Sequence, residues 1–329
     1  MRVRWRSDDP VPQTDLALEA SEFLRARAAQ EIPGLTVQEQ SRNGITVTRV
    51  AVETAAAATL SGKPPGRYVT IEAPGLTDND RALHQETSEA VAAEVGRLVA
   101  CDPKAAILVT GLGNWQVTPD SLGPRVVGQL LVTRHLQEYA PPELMGGLRA
   151  VCAVAPGVLG LTGIETGEIL RGVVERVRPK MVLAVDSLAA RNVGRIMTTV
   201  QIADTGIHPG SGVGNRRLGI TEETLGVPVV AIGVPTVVHA GVIAGDLLEE
   251  LVGQLERDPR FRDSLGPIAE SVRGWLSESA SGGRMRELVV TPKQIDGMIR
   301  QVARVVAGGL NLALHPGIDA DDLARYLNL

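Results

Sequence analysis

Two aspartates have neighbours suited to acid–base chemistry. Asp120 closes the Gly-rich turn GLGNWQVTPD (111–120), which follows an apolar stretch, and Asp186 directly follows the apolar run MVLAV (181–185). In an open α/β sheet the crevice beyond the strand ends is where ligands bind. A carboxyl delivered there has its pKa raised by desolvation, and a second carboxyl nearby raises it further. Two acids sharing one proton can activate a water and protonate a leaving amine. The same residues also read as helix N-caps, since Ser121 and Ser187 follow them. Pattern alone leaves both readings open.

The segment Asp204-Thr-Gly-Ile-His-Pro-Gly-Ser-Gly-Val-Gly-Asn (204–215) is the most distinctive loop. Its Asp-Thr-Gly is the tripeptide of pepsin-like proteases, but such an enzyme needs one in each of two lobes, and only Asp204 begins one here. Gly210, Gly212 and Gly214 can build a nest of backbone amides for an anion or oxyanion, with His208 beside them, or simply form a surface loop. Gly111 and Gly113, with Asn114 after them, are not a dinucleotide fingerprint, because Gln116 stands where the third glycine belongs. No Walker lysine follows the 210–214 glycines. The five histidines (84, 135, 208, 239, 315) lack HExxH spacing, and no metal is expected from it. His208 and His239 joining the aspartates at a metal remains the alternative. Ser187 and Ser211 lack the nucleophile elbow GxSxG.

The elements that must position these residues follow from periodicity. Strands are expected over 45–52, 67–72, 105–110, 150–155, 181–185, 200–203 and 229–233, and helices over 16–29, from a cap at Asp78 or Asp80 through 100, and over 121–138, 164–177, 237–255 and 292–307. This alternation predicts an α/β fold with a doubly wound, largely parallel sheet and helices on both faces. An aromatic content of 2% against 44% hydrophobic residues fits buried Val, Leu, Ile and Ala strands under helices. The 329 residues suffice for a sizeable core. We expect an arm over 1–15, one domain over 16–329, and a polar surface excursion around 257–287. A net charge of −5 gives no nucleic-acid footprint. No apolar run is long enough to span a bilayer, and Pro10 and Pro12 interrupt where a secretory signal would be apolar, so a cytoplasmic protein is expected. Cys101 and Cys152 read as reduced thiols, with no CxxC motif.

Several segments together resemble the germination (spore) protease family: VTGLGNWQVTPDSLGPRVV (109–127), APGVLGLTGIETGEI (155–169), AVDSLAARNVGRI (184–196), QIADTGIHPGSGVGNRR (201–217), ETLGVPVVAIGVPTVV (223–238), and VTPKQID with VAGGLNLALH (290–296, 306–315). The resemblance covers about residues 13 to 316. It implies an acid endopeptidase that degrades the small acid-soluble proteins of spores during germination, in the spore core, as a homotetramer, with no cofactor and no nucleic-acid or membrane partner. It implies an α/β fold like that of hydrogenase-maturation proteases. It places the family's functional aspartates, in VTPDxLGP and (I/V)DxLAAR, on Asp120 and Asp186, and makes Asp204 a supporting residue of the cleft with the glycines, Asn114 and His208.

The resemblance also implies an inactive precursor that cuts itself at a site like its substrate's: Thr-Glu, an apolar residue, Ala, any residue, Glu. Thr14-Asp-Leu-Ala-Leu-Glu19 fits with Asp for Glu, so cleavage is expected between Asp15 and Leu16. Thr14 also reads as the N-cap of the helix that starts there. The chain departs from the family at His239, where relatives often carry Asp, and in a shorter excursion around 257–287. A metal-assisted peptidase on the same fold and a non-enzymatic binding module are the rival readings.

Overall fold

The computed structural model describes residues 14–27, 32–99, 102, 105–138, 147–209, 217–257 and 288–318. Cys101, most of the polar excursion and the glycines at 210, 212 and 214 lie outside the described residues.

Among the described residues one sheet runs in the order β1 (Leu35–Arg42), β2 (Ile45–Val52), β3 (Gly66–Glu72), β7 (Thr199–Ala203), β8 (Val229–His239), β6 (Met181–Ala190), β4 (Ile107–Gly111), β5 (Val151–Val154). A short β9 (Val289–Val290) pairs with the end of β8. The α/β alternation produces the parallel half, β5–β4–β6–β8. The other half, β8–β7–β3–β2–β1, is antiparallel.

Helices cover both faces. Residues of β6 with odd numbers (Leu183, Val185) pack with Val91 and Val95 of α3 (Arg81–Leu98), Leu122 and Val126 of α4 (Leu122–Val127), and Ile299, Val302 and Val306 of α9 (Ile295–Leu314). Even-numbered Val182 and Ala184 pack with Leu170 and Val174 of α6 (Thr166–Val177) and Leu225 of α7 (Glu222–Leu225). The period-2 alternation of a strand produces this division. The remaining helices are α1 (Ala17–Arg27), α2 (Ala55–Ser61), α5 (Leu159–Thr162) and α8 (Ala240–Arg257). Asp80 caps α3, its carboxyl accepting from Ala82 N and Leu83 N.

Four expected elements change on folding. The helix over 121–138 stops at Val127. The Asn311 side chain binds Leu131 N (2.9 Å) and Gln129 O (3.0 Å), and Thr133 N donates to Val151 O of β5 (2.9 Å). Partners outside the segment take the backbone groups a helix would need. Strand β6 does not end before Asp186 but runs on to Ala190, and β8 continues past Gly233 to His239. Pro235 is tolerated in β8 because a register shift between Leu188 and Ala189 of β6 lies opposite it. Finally, α9 runs through Gly308-Gly309 to Leu314. A Cβ on Gly309 would lie 2.7 Å from Val91, so these glycines serve a close crossing with α3 rather than a helix end.

Candidate active site

Strand β4 ends at Gly111, which lies beside Val185 of the longer β6. Asp186 is therefore the first residue of β6 beyond that end, flanked on the other side by Gly233 of β8. It is 6% exposed, and Ser187 N–H donates to its Oδ1 at 2.8 Å. No helix follows it, so the N-cap reading fails for Asp186.

Asp120 arrives from the chain leaving β4. Leu112 N donates to Val185 O (2.8 Å), holding the first residue of the turn to β6. The chain then turns back so closely that a Cβ on Gly111 would lie 2.2 Å from Gly123 O, and one on Gly113, at φ +108°, 2.0 Å from Asp120 O. Only glycine fits either place. Thr118, Pro119 and Asp120 form a 3-10 turn, pinned to α9 by Thr118 Oγ1 donating to Asp296 at 2.9 Å. The Asp120 carboxyl does not cap α4. It reaches back to accept from Asn114 N at 2.8 Å, while Asn114 Oδ1 accepts from Gln116 N to tighten the turn. The cap reading fails here too, because the carboxyl is taken by the Asn114 N–H, which it shares with the Asp120 backbone carbonyl (3.1 Å).

Burial is the main reason that the Asp186 carboxyl stands well above the ordinary carboxylate range, and the Asp120 charge adds to it. The Ser187 hydrogen bond offsets part of this, and the Asp15 charge raises it again. Burial also raises Asp120, against the Asn114 hydrogen bond and the Arg217 charge. The structure thus brings together Asp120, Asp186, Gly111, Gly113, Asn114 and, from the far N-terminal side, Asp15.

Asp204 follows the end of β7. Its carboxyl accepts from Arg67 N (2.7 Å) and pairs with Arg67 Nε (2.7 Å), tying the start of β3 to the end of β7. His208 is exposed and packs over Gly219. His239 is 5% exposed at the end of β8. Among the described residues no group of three or more His, Cys, Asp or Glu is placed to hold a metal.

The segment 14–19 is docked on the body of the protein. Asp15 N donates to Ala189 O (3.1 Å), and its Oδ2 accepts from Ala189 N (2.9 Å). Leu16 is fully buried against Leu188, Ala190 and Ile207. Ala17 packs among Val50, Val52, Ala57 and Tyr68. The Glu19 carboxyl, 5% exposed, accepts from Arg191 N and Asn192 N (2.9 Å each), lies 3.4 Å from Arg195, and receives the Thr14 hydroxyl. Thr14 Oγ1 also accepts from Leu16 N (3.1 Å), a turn that lies ahead of α1, so Thr14 is not the N-cap of that helix. Two contacting residues, Lys63 and Gln201, had no signal in the sequence. Lys63 reads only as part of a turn, and Gln201 as one polar residue in a strand.

Comparison with known proteins supplies the class. A family model described as germination protease matches residues 11–272 and 278–327, which makes the chain a peptidase. Germination proteases of Caldanaerobacter subterraneus subsp. tengcongensis (48% identical, 96% of this chain and 98% of that one), Clostridium perfringens (44%, 96% and 99%) and Bacillus cereus (39%, 95% and 96%) align over nearly the whole length. The chain belongs to the germination protease family. Among solved structures, a [NiFe] hydrogenase maturation protease, HycI from Thermococcus kodakarensis, overlaps 44% of this chain and 80% of its own at 21% identity, with a TM-score of 0.29. No helix among the described residues is long and apolar enough to cross a membrane.

Proposed function

We propose that this germination protease is a self-processing acid endopeptidase that cuts after Asp or Glu, with Asp120 and Asp186 as its catalytic pair. The observation that carries this reading is the meeting of a buried carboxyl, Asp186, and a half-buried one, Asp120, each raised by desolvation, with the Asp15 charge felt at Asp186. One carboxylate takes a proton from water as the water oxygen adds to the carbonyl carbon. The C–N bond then breaks as the other carboxyl gives its proton to the leaving nitrogen. A carboxylic acid and an amine result, and the pair again holds one proton. The two aspartates titrate as a unit, so neither is assigned the acid role.

The chain is made as a precursor whose residues 1–15 leave by cleavage between Asp15 and Leu16, and 16–329 act as one peptidase domain. In keeping with the family, the substrates are small acid-soluble spore proteins in the spore core, and the assembly is a homotetramer.

Incubating the purified chain across pH and weighing it intact tests this. We expect the mass of residues 1–15 to be lost on acidification. Asp120→Asn and Asp186→Asn should each slow the cut by at least about 1,000-fold, as loss of one member of an interdependent set does. An uncut wild-type chain, or a cutting mutant, overturns the reading. Inhibition by a chelator would favour the metal-assisted alternative.

A further inference from the structure

Lys63 lies between α2 and β3, half-buried, and its amine donates to two backbone carbonyls, Thr14 O at 3.0 Å and Asp15 O at 2.9 Å. No carboxylate oxygen among the described residues lies within ion-pair distance of it. Desolvating an ammonium is expensive unless it is paired, and burial pushes the Lys63 pKa down while the Asp15 and Glu19 charges oppose that. A neutral donor would anchor the start of a helix at lower cost. The Asp15 oxygen has a second donor, Gln201 Nε2 at 3.0 Å, while Gln201 Oε1 accepts from Ala17 N at 2.5 Å. Gln201 thus clasps the peptide on both sides of the Asp15–Leu16 bond.

The sheet register places this clasp on the face that carries Asp186. Gln201 of β7 pairs with Gly233 of β8, and Gly233 pairs with Asp186 of β6. Side chains of residues paired across strands project from the same face, and two strand spacings separate the outer pair by roughly 10 Å. Gly233 has no side chain between them. Leu188 lies over it, within 2.4 Å of where a Cβ would stand, and Leu16 packs on Leu188. The 15–16 peptide therefore lies on Leu188, with Gln201 to one side and Asp186 to the other.

The geometry points to Lys63 and Gln201 as the donors that hold the Asp15 carbonyl oxygen and stabilise the negative charge that develops on it as water adds. This rests on the self-processing reading above and assigns two further catalytic residues to it. Water adds to the Asp15 carbonyl carbon, the oxygen gains charge between Lys63 Nζ–H and Gln201 Nε2–H, and the charge returns to the carbonyl as the bond to Leu16 N breaks. The proton transfers remain those of the aspartate pair.

The test is the first-order rate of loss of residues 1–15 from the full chain, at one acidic pH, with a melting curve for each variant. Lys63→Met keeps the apolar stem and removes the donor. It should slow the cut about 100-fold, since one lost oxyanion donor costs 10²–10³ in rate, with a melting curve close to wild type. Gln201→Glu keeps the acceptor for Ala17 N and removes the donor while its carboxyl is ionised, so it should also slow the cut, the more so as pH rises within the processing range. If these contacts only anchored α1, loosening them would leave the rate unchanged or raise it. A Lys63→Met chain cutting within threefold of wild type overturns the inference while the self-processing reading stands. Should Lys63→Met not fold, Gln201→Glu decides by the same criterion. A wild-type chain that does not cut at Asp15–Leu16 overturns both.

Discussion

At the scale of single residues, Asp186 is held in a state the unfolded chain would not choose. Its folded pKa is above its unfolded value, so the folded chain keeps a proton that the unfolded chain releases. Stability is then full below the ordinary carboxylate range and is lost as pH rises toward the folded pKa. Asp186→Asn removes that penalty. We expect its melting temperature at pH 7 to exceed wild type by at least about 2 °C, in line with 2–4 °C per kcal/mol for large domains, with little difference near pH 3. Equal melting at both pH values would show that Asp186 is not held protonated. The same shift governs rate. The alkaline limb of the processing profile should fall above the pH expected of an ordinary carboxyl, because the proton shared by the pair is lost there. A limb centred near pH 4 would contradict this.

At the scale of elements, close approaches set the site. Gly113→Ala would put a Cβ against Asp120 O at a positive φ. It should cost at least about 1–3 kcal/mol in strain and impair cutting by moving the Asp120 turn, as paired denaturation and processing assays would show. Gly309→Ala has two opposed effects. Helix propensity would favour alanine by about 1 kcal/mol, but the new methyl meets Val91 at 2.7 Å in a packed crossing. Overpacking costs about 1–3 kcal/mol, so we expect net destabilisation. An increase in melting temperature would show that the two helices can separate without cost.

Much of this level was legible in the sequence, and the exceptions have physical causes. The apolar runs at 107–111 and 181–185 could be read as strands because both faces are buried. Strand β1 was missed because LTVQEQSR is an edge strand exposed from Glu39 onward, with no buried face to give it a period. Gly233 and Gly308-Gly309 read as stops because a glycine's sequence neighbours do not reveal what packs against it. The aspartate pair was legible through its motifs, whereas Lys63 and Gln201 reach the 15–16 peptide only through register and contacts spanning 48 and 186 residues.

At the scale of the whole molecule, the segment 14–19 proposed for cleavage is bound to its own body, from Asp15 on Ala189 to Glu19 on the backbone at 191 and 192. The reaction should therefore be unimolecular, with orientation already supplied by folding. Its rate constant should be unchanged across about 100-fold dilution, if the assembled state is unchanged. A rate proportional to concentration would mean that chains cut one another. Residues 1–15 would then be a competitor for the cleft and not its first occupant.

The fully buried Leu16 side chain has one more consequence. While the chain is intact, the Leu16 nitrogen is a neutral amide bonded to Thr14 Oγ1. Once the bond breaks it becomes an ammonium, newly charged beside the apolar enclosure of Leu188, Ala190 and Ile207. A charge there needs a counterion, and the Glu19 carboxyl, which the Thr14 hydroxyl links to that nitrogen, is the one at hand. The fresh terminus must therefore turn onto Glu19 or leave for water with Leu16. Faster amide exchange at residues 17–20 after the cut would record departure, and unchanged exchange would record pairing with Glu19. Either way cleavage works as a ratchet: the charge it creates holds the end away from the neutral state that resealing needs.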